Sequence, residues 1–322
     1  MRALVVTALG SPPELRDAAE PAPAEGEALV EVVAAAINPV DLSVASGSFF
    51  AGAPRVPYVA GAEAVGRIVS GARFEPGTLV WTGMQGLGVR RDGTFAELVA
   101  AREDGLVAVP EGADPALAAA LGIAGVAAWL PLDWRGQVGA GETVLVLGAT
   151  GTLGLVAVQA ARLLGAGRVV AAGRRADGLA RAIGAGADAA VRLGAHEDLA
   201  GALREACGGE GPTLVIDPLW GEPVVAAMKA AAPGARIVQI GQAAGAEAAI
   251  PSGLVRGKAL DLLGYTNLRV PHDVLAEGYR TLVEHAAAGR LRLELERVPL
   301  ERGVEAWQRQ AAGAATKLVL VL

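Results

Sequence analysis

The stretch from 142 to 175 constrains the fold more than any other part of the chain. Val144 to Leu147 form a short apolar run rich in β-branched residues, which is typical of a buried parallel strand. A glycine-rich turn follows at 148–154, then a helix with apolar residues on one face, then a second apolar strand at 169–172. Strand, helix and strand in this order predict a βαβ unit, from which doubly wound parallel sheets are built.

The turn inside this unit has the composition of a pyrophosphate-binding loop. Its residues are Gly148, Ala149, Thr150, Gly151, Thr152, Leu153 and Gly154. A side chain at Gly151 would keep the backbone away from a pyrophosphate, and Gly154 permits close packing of helix on strand. The following helix N-terminus offers free N–H groups to phosphates. Such a turn can be purely structural, but the complete βαβ context favours a dinucleotide site.

The end of the second strand selects between cofactors. An NAD site carries Asp or Glu there, roughly 20 residues after the turn, to hold the ribose hydroxyls. This chain has Gly173, Arg174 and Arg175 instead, so no acid would repel a 2′-phosphate and two guanidinium groups can grip it. The alternative is that both arginines are ordinary solvated residues at a helix start. We expect NADP(H), and assign Gly241, just after a predicted strand at 236–240, to the same site.

Composition and charge narrow the class of protein. The length of 322 residues suffices for two domains, and the net charge of −6 argues against nucleic acid or an anionic membrane as a partner. The uncharged stretch at 115–132 is rich in alanine and contains glycine, so it predicts a buried helix rather than a membrane span. Cys207 is the only cysteine, which excludes an internal disulfide and a cysteine-rich zinc site and fits a reducing cytoplasm.

The element pattern divides the chain into three parts. Residues 1–118 are β-rich, 119–265 alternate helix and strand as a dinucleotide-binding domain, and 266–322 form a return segment with two helices and a last strand. Helices are predicted at 199–207, 223–231 and 276–288. Strands are predicted at 3–7, 28–35, 64–70, 78–82, 95–100, 144–147, 169–172, 189–192, 214–217, 236–240, 260–264 and 317–322.

Motifs along nearly the whole chain resemble those of the medium-chain dehydrogenase/reductase (alcohol dehydrogenase-like) superfamily. They lie at 38–41, 61–69, 93–97, 125–129, 148–154, 288–291 and 317–320. Within that superfamily the chain resembles the zinc-free quinone oxidoreductase branch. Zinc-dependent members have a ligating cysteine near the position of Asn38 and a ligating histidine at the position of Ala62, and they carry a four-cysteine lobe that is missing here. The three histidines are scattered, and we interpret them as surface residues.

The six strands predicted between 144 and 264 make a complete doubly wound parallel sheet, as in a Rossmann α/β protein. The resemblance implies in addition a β-rich GroES-like catalytic domain formed by both termini. It implies a homodimer without a metal site that uses NADPH to transfer hydride to a quinone or an α,β-unsaturated carbonyl compound, and the cysteine usage fits a cytoplasmic location. Two alternatives stay open. One is a zinc-free alcohol dehydrogenase or carbonyl reductase, and the other is an NADPH-binding protein with a structural or regulatory role.

Two residues are candidates for the chemistry. Asn38 can supply an amide donor to a substrate carbonyl or to the nicotinamide ribose, or it can serve only as the turn residue before Pro39. Tyr58 is the tyrosine best suited to protonate a product. Related enzymes have tyrosines at Phe49 or near Ser43, and these departures favour a quinone substrate, since solvent can protonate its product.

Overall fold

The structure is a computed structural model that describes residues 1–322, and it divides into two compact units. The first unit contains residues 1–124 and 279–322, and the second contains residues 125–278. The chain is therefore of the α/β class that the sequence predicts, with a parallel six-stranded sheet in the second unit and two other β-sheets in the first. No helix combines the length and the hydropathy that crossing a bilayer requires.

The first unit begins with short strands, because apolar and β-branched runs alternate with glycines and prolines in this part of the sequence. The elements are β1 (Arg2–Val6), β2 (Glu14–Asp17), β3 (Glu27–Ala36), α1 (Pro39–Ala45), β4 (Tyr58–Val59), β5 (Val65–Ser70), β6 (Leu79–Trp81), β7 (Leu98–Arg102), β8 (Val107–Ala108) and α2 (Pro115–Ala120).

The second unit alternates helices and strands. After α3 (Ile123–Leu130), which starts just before the unit boundary, its elements are β9 (Thr143–Leu147), α4 (Thr152–Leu163), β10 (Arg168–Gly173), α5 (Ala176–Gly184), β11 (Ala189–Arg192), α6 (Leu199–Ala206), β12 (Leu214–Asp217), α7 (Gly221–Ala230), β13 (Arg236–Gln239), α8 (Ser252–Lys258) and β14 (Asp261–Gly264). The strand order β11-β10-β9-β12-β13-β14 reverses direction between β9 and β12. Doubly wound sheets bind their ligands at this switch point.

The chain then completes the first unit. The elements are α9 (His272–Ala287), β15 (Leu295–Pro299), α10 (Gly303–Ala311) and β16 (Lys317–Val321). One sheet has the order β15-β16-β3-β5-β6-β8, with β7 also paired to β3, and a small sheet has the order β2-β1-β4. Because β16 runs antiparallel to β3 with Val319 opposite Ala36, the start of β16 lies beside the residues that follow β3.

Each unit has its own apolar core. In the first unit the core contains side chains from both ends of the chain, among them Leu4, Val30, Phe95 and Leu318. In the second unit it contains strand residues such as Leu145 and Val215 together with residues of the surrounding helices. The parallel strands are buried on both faces, which explains why they are continuous apolar runs in the sequence.

The single buried helix predicted at 115–132 is wrong. The structure has α2 and α3 with a break at Leu121 and Gly122, and a short π-helical segment follows at Pro131–Arg135. A Cβ atom on Gly122 would lie only 1.8 Å from Oε2 of Glu63, so the break lets a buried carboxylate approach the chain. No sequence pattern predicted α1, β2 and β4, which are too short to show a clear periodicity.

Candidate functional site

The residues predicted to bind a dinucleotide lie at the carboxyl edge of the parallel sheet. The turn at 148–154 follows β9, Gly173 ends β10, and Gly241 lies just after β13. Parallel strands bring their carboxyl ends to one edge, so residues from distant parts of the sequence meet there. This edge includes the switch point between β9 and β12.

The glycine turn has room for a phosphate on one side only. A Cβ atom on Gly154 would lie 2.4 Å from the carbonyl oxygen of Gly148, so helix α4 packs closely on the turn. Near Gly151, in contrast, the only heavy atom within 4 Å of such a Cβ is the oxygen of Gly148, at 3.8 Å. The N–H groups of the first turn of α4 have no helical acceptors. Exposed backbone, open space and a helix N-terminus together fit a pyrophosphate group.

The two arginines after β10 differ in their surroundings. The guanidinium of Arg174 is exposed and makes no hydrogen bond or ion pair. Arg175 is half-buried, donates to the carbonyl oxygen of Thr150 at 3.2 Å, and lies 3.8 Å from the carboxylate of Asp177. Arg175 therefore stabilises the glycine turn, whereas the guanidinium of Arg174 is available to bind an anion.

Sequence reasoning missed a third arginine at this place. Arg192 is the last residue of β11, and its Cα pairs with that of Gly173 in the neighbouring strand. Its Nε donates to the carbonyl oxygen of Arg174 at 3.3 Å. The predicted strand at 189–192 already ended on this residue, and the usual strand order of a doubly wound sheet would have placed it beside the end of β10.

A buried acid supports the loop next to the glycine turn. The carboxylate of Asp217, at the end of β12, accepts through Oδ1 from the backbone N–H groups of Leu219 and Trp220, both at 2.9 Å, while Oδ2 has no partner. Burial raises the pKa of Asp217 to about 6, although the two N–H donors act in the opposite direction. The loop lies against Gly148, where a Cβ atom would be 3.2 Å from Leu219.

In the first unit, Asn38 is buried, and both its amide hydrogens and its amide oxygen make hydrogen bonds. Nδ2 donates to the carbonyl oxygen of Ala36 at 3.1 Å and to Oε1 of Glu63 at 2.7 Å, and Oδ1 accepts from Nζ of Lys317 at 2.6 Å. Asn38 is also the N-cap of α1, where its backbone N–H donates to Oδ2 of Asp41 at 2.7 Å. A donor role toward a ligand would require one of the two Nδ2 hydrogen bonds to break.

Glu63 connects three segments of the chain. Besides the Asn38 amide, its carboxylate accepts from Nε1 of Trp81 at 2.8 Å and from the backbone N–H of Ile123, the first residue of α3, at 2.7 Å. Asp41 plays a similar part nearby, since its Oδ1 accepts from the backbone N–H of Ala62 at 2.9 Å. These hydrogen bonds join the turn after β3, the loop before β5 and the break between α2 and α3.

The charges of this network are buried. Burial raises the pKa of Glu63, although the ammonium of Lys317 and the hydrogen bonds to the carboxylate act to lower it. Burial also raises the pKa of Asp41 to about 7, although two backbone N–H groups and Lys317 act against it. For Lys317 burial lowers the pKa, against the attraction of the two carboxylates. A charge buried in low-dielectric surroundings is costly unless it is paired and hydrogen-bonded, and this network contains charges of opposite sign.

Tyr58 interacts electrostatically with Asp41 of this network. Its ring is buried, and its hydroxyl group, which is not sealed in the interior, makes no hydrogen bond within the protein. Burial, and then the negative charge of Asp41, raise the pKa of Tyr58 to about 12. The hydroxyl is therefore available as a hydrogen-bond donor but gives up its proton poorly.

The remaining chemical groups have structural partners or no reactive surroundings. The ring of Tyr279 stacks on that of Trp81 with centroids 4.4 Å apart, and the hydroxyl of Tyr265 donates to Oδ1 of Asn267 at 2.7 Å. Burial raises the pKa of the Cys207 thiol to about 12. Nowhere do three or more His, Cys, Asp or Glu side chains form a group that could hold a metal ion.

Comparison with known protein families assigns both units. The family described as alcohol dehydrogenase GroES-like domain matches residues 24–111, and the family described as zinc-binding dehydrogenase matches residues 152–283. A quinone oxidoreductase of Pongo abelii is 28% identical over 346 residues, which cover 100% of this chain and 98% of that protein.

Solved structures are similar over the full length. A quinone oxidoreductase from Thermus thermophilus, for which a complex with NADPH is also described, is 31% identical with a TM-score of 0.81, over 100% of both chains. An NAD-dependent alcohol dehydrogenase is 29% identical with a TM-score of 0.87, again over 100% of both chains. The chain therefore belongs to the medium-chain dehydrogenase/reductase superfamily, as a quinone oxidoreductase-like oxidoreductase in a family that depends on pyridine nucleotides.

Proposed function

We propose that this protein is an NADPH-dependent, zinc-free oxidoreductase that reduces a quinone or another α,β-unsaturated carbonyl compound. The observation that carries the choice of cofactor is the group of three arginines at the ends of β10 and β11, at a place where an NAD site would hold an acid. Quinone oxidoreductases are among the relatives that cover the whole chain, which supports the choice of substrate.

The residues at the sheet edge would divide the work of holding NADPH. The open backbone at Gly151 and the start of α4 would hold the pyrophosphate. Arg174, and beside it Arg192, would bind the 2′-phosphate, since guanidinium groups bind phosphate oxygens bidentately. Gly241 would lie beside the cofactor just after β13, where a Cβ atom would be only 2.9 Å from the carbonyl oxygen of Pro218. When bound there, NADPH supplies the hydride for the reduction.

A quinone suits the acid and base groups of the first unit. Hydride addition to a quinone leaves an anionic oxygen that solvent can protonate without help from a side chain. Tyr58 is a poor proton donor near neutral pH, because burial, and then the negative charge of Asp41, disfavour the phenolate and raise its pKa. We therefore assign to Tyr58 a hydrogen bond to the substrate carbonyl, which polarises it, rather than a proton transfer.

Zinc-independence is supported by the donor atoms at two positions. Asn38 uses its amide in three hydrogen bonds, and Ala62 has no ligating atom. A catalytic zinc needs three protein ligands of the thiolate, imidazole or carboxylate type. Metal analysis of the purified protein should find well under one zinc per chain, and chelators should leave turnover unchanged. Stoichiometric zinc that is lost together with activity would refute this part of the proposal.

The proposed reaction is tested by the consumption of reduced cofactor. Purified protein is mixed with NADPH or NADH and with a simple benzoquinone, an enone or an aldehyde, and the cofactor absorbance is followed. We expect steady consumption of NADPH with the quinone and weaker binding of NADH. Equal affinity for both cofactors would contradict the cofactor choice. Turnover of the aldehyde alone would favour a carbonyl reductase, and tight NADPH binding without any turnover would favour a structural or regulatory role.

We also propose a homodimer formed through the second unit. Strand β14 is the edge of the parallel sheet, so its outer backbone groups have no partner strand, and Leu262 on this strand is 47% exposed. An uncovered apolar edge strand is a template for pairing with another strand. Light scattering should give twice the mass of one chain, and Leu262→Lys should shift the equilibrium toward the monomer. A monomeric wild type would refute the proposal.

A further inference from the structure

The first unit contains a lysine that none of the proposed steps uses. Lys317 is the first residue of β16 and only 4% exposed. Its Nζ donates to the carbonyl oxygen of Ile37 at 2.9 Å and to Oδ1 of Asn38 at 2.6 Å. It makes no direct ion pair with Glu63 or Asp41, although both carboxylates attract its charge.

The amide of Asn38 lies between this ammonium group and a carboxylate. The amide oxygen faces Lys317, and the amide nitrogen faces Oε1 of Glu63. A reversed amide would turn its N–H groups toward the ammonium donor and its oxygen toward the carboxylate acceptor, so both contacts would become repulsive. The arrangement is an ion pair bridged by an amide, and the two charges fix the orientation of the bridge.

We propose that Lys317 is a positioning residue that locks the Asn38 side chain in this one orientation. The lock leaves Asn38 with no amide hydrogen for a ligand, and only the second lone pair of Oδ1 stays free. Asn38 thus meets a ligand as an acceptor, for instance from a hydroxyl group, and not as a donor to a carbonyl. The statement about hydrogen bonds stands by itself, and the kinetic consequence rests on the proposed function.

The composition of the chain makes this lock directly measurable. The sequence contains two asparagines, Asn38 and Asn267, so protein labelled with 15N-asparagine shows two pairs of side-chain amide signals by NMR, one pair for each residue. Asn267 serves as an internal control, because its Oδ1 accepts from Tyr265 far from the network in the sequence and in the other unit. In Lys317→Met we expect the Asn38 amide hydrogens to shift and to exchange with water about tenfold faster or more, as for loss of a charged hydrogen bond. The Asn267 signals should stay unchanged.

A matched lysine controls for the substitution itself. Lys258 also donates to two acceptors, the carbonyl oxygens of Lys229 and Ala231, but it lies in the second unit. Lys258→Met should leave both asparagine signals in place. If Lys317→Met does not fold, Lys317→Arg replaces it, because its planar guanidinium keeps the charge but changes the donor geometry. The Asn38 signals should then shift without the loss of protection.

Kinetics separate positioning from a merely structural role. For folded Lys317→Met we expect kcat with a quinone to fall about tenfold while KM for NADPH stays within about twofold, and Lys258→Met to match the wild type. Unchanged Asn38 signals in Lys317→Met would overturn the lock, whatever the activity. Shifted signals with wild-type kcat would overturn its role in the reaction. A wild type without any quinone turnover would instead refute the proposed function, while the NMR result would still decide the lock.

Discussion

The carboxyl edge of the parallel sheet in the second unit and the network around Asn38 in the first unit differ in composition and in exposure. The carboxyl edge consists of backbone groups, glycines and arginines, of which Arg174 is exposed and has no partner. The network around Asn38 consists of buried polar side chains that satisfy one another. Exposed groups without a partner in the protein lie at the first place, and buried groups that hydrogen-bond to one another lie at the second.

This difference has an energetic consequence. An exposed cation without a partner contributes little to the stability of the folded chain, so its removal should change binding only. A buried carboxylate with several donors cannot be removed without leaving those donors and the opposite charge uncompensated. Substitutions in the two regions should therefore separate into effects on affinity and effects on the free energy of unfolding.

The largest effect is expected for Glu63→Gln. Glutamine has one acceptor oxygen where three donors converge, and it removes one of the two carboxylates that attract the charge of Lys317. We expect the free energy of unfolding to fall by about 3 kcal/mol or more, measured by chemical denaturation. Glu97→Gln is the control, because this carboxylate pairs with Arg2 at the surface, and it should cost less than about 1 kcal/mol. Equal losses for both variants would contradict the comparison.

The second effect concerns Asp217, a buried acid of the second unit, and the pH dependence of the free energy of unfolding. The folded state raises the pKa of Asp217 from 3.8 to about 6, so it binds the proton more tightly than the unfolded chain does. Stability therefore falls as the pH rises through this interval and stays low above it. Relative to the wild type, Asp217→Asn should gain about 3 kcal/mol between about pH 4 and pH 7, roughly two pKa units.

Asp188→Asn provides a control of opposite sign for this pH dependence. Partial burial alone would raise the pKa of Asp188, but the N–H of Val169 and the ion pair with Arg162 together hold it below its usual value. Its stabilisation is present at neutral pH and is lost on acidification. The difference between Asp188→Asn and the wild type should therefore shrink as the pH falls. Urea titrations over the same pH range measure the free energy of unfolding of both variants and the wild type. If the difference from the wild type changed with pH in the same direction for both variants, the opposite pKa shifts of Asp217 and Asp188 would be contradicted.

The third effect concerns affinity. Arg174→Ala should weaken NADPH binding by about tenfold or more, because a hydrogen bond between charged groups is worth about 1.5–3 kcal/mol. NADH binding and the unfolding midpoint should not change, since Arg174 has no partner within the protein. Titration calorimetry measures the affinities for NADPH and NADH. Arg204→Ala is the control, because the guanidinium of this arginine already donates to a carbonyl oxygen of α7 within the protein. Its removal should leave NADPH binding unchanged. Arg174→Ala with unchanged NADPH affinity would argue against a 2′-phosphate at this place.

The smallest effect is expected for Tyr58→Phe with a quinone. A phenol with a pKa of about 12 should not act as the proton donor, so turnover should fall by less than about tenfold, through loss of one hydrogen bond. A positioned acid would contribute about 10²–10⁴-fold, and an enone can reveal such a contribution because its carbon must be protonated. A loss of that size with the quinone would show that the phenol is needed, and solvent protonation would then be wrong.

The sequence by itself predicted the parts that depend on neighbouring residues. The glycine turn, the alternating strands and helices, and the six-stranded doubly wound sheet are short-range patterns, and the fold class and family derived from them are confirmed. Strand boundaries were mostly within a few residues, for example β9 at Thr143–Leu147. The arginines after β10 belong to this group because they directly follow a recognisable strand.

Only the tertiary structure could assemble the network around Asn38. Residues 38, 63 and 317 come from the turn after β3, the loop before β5 and the last strand, and no spacing in the sequence links them. The break at Gly122 has the same origin, because it depends on a carboxylate about sixty residues earlier in the chain. Local patterns determine which elements form, whereas the partners of buried charges are determined by the packing that brings distant segments together.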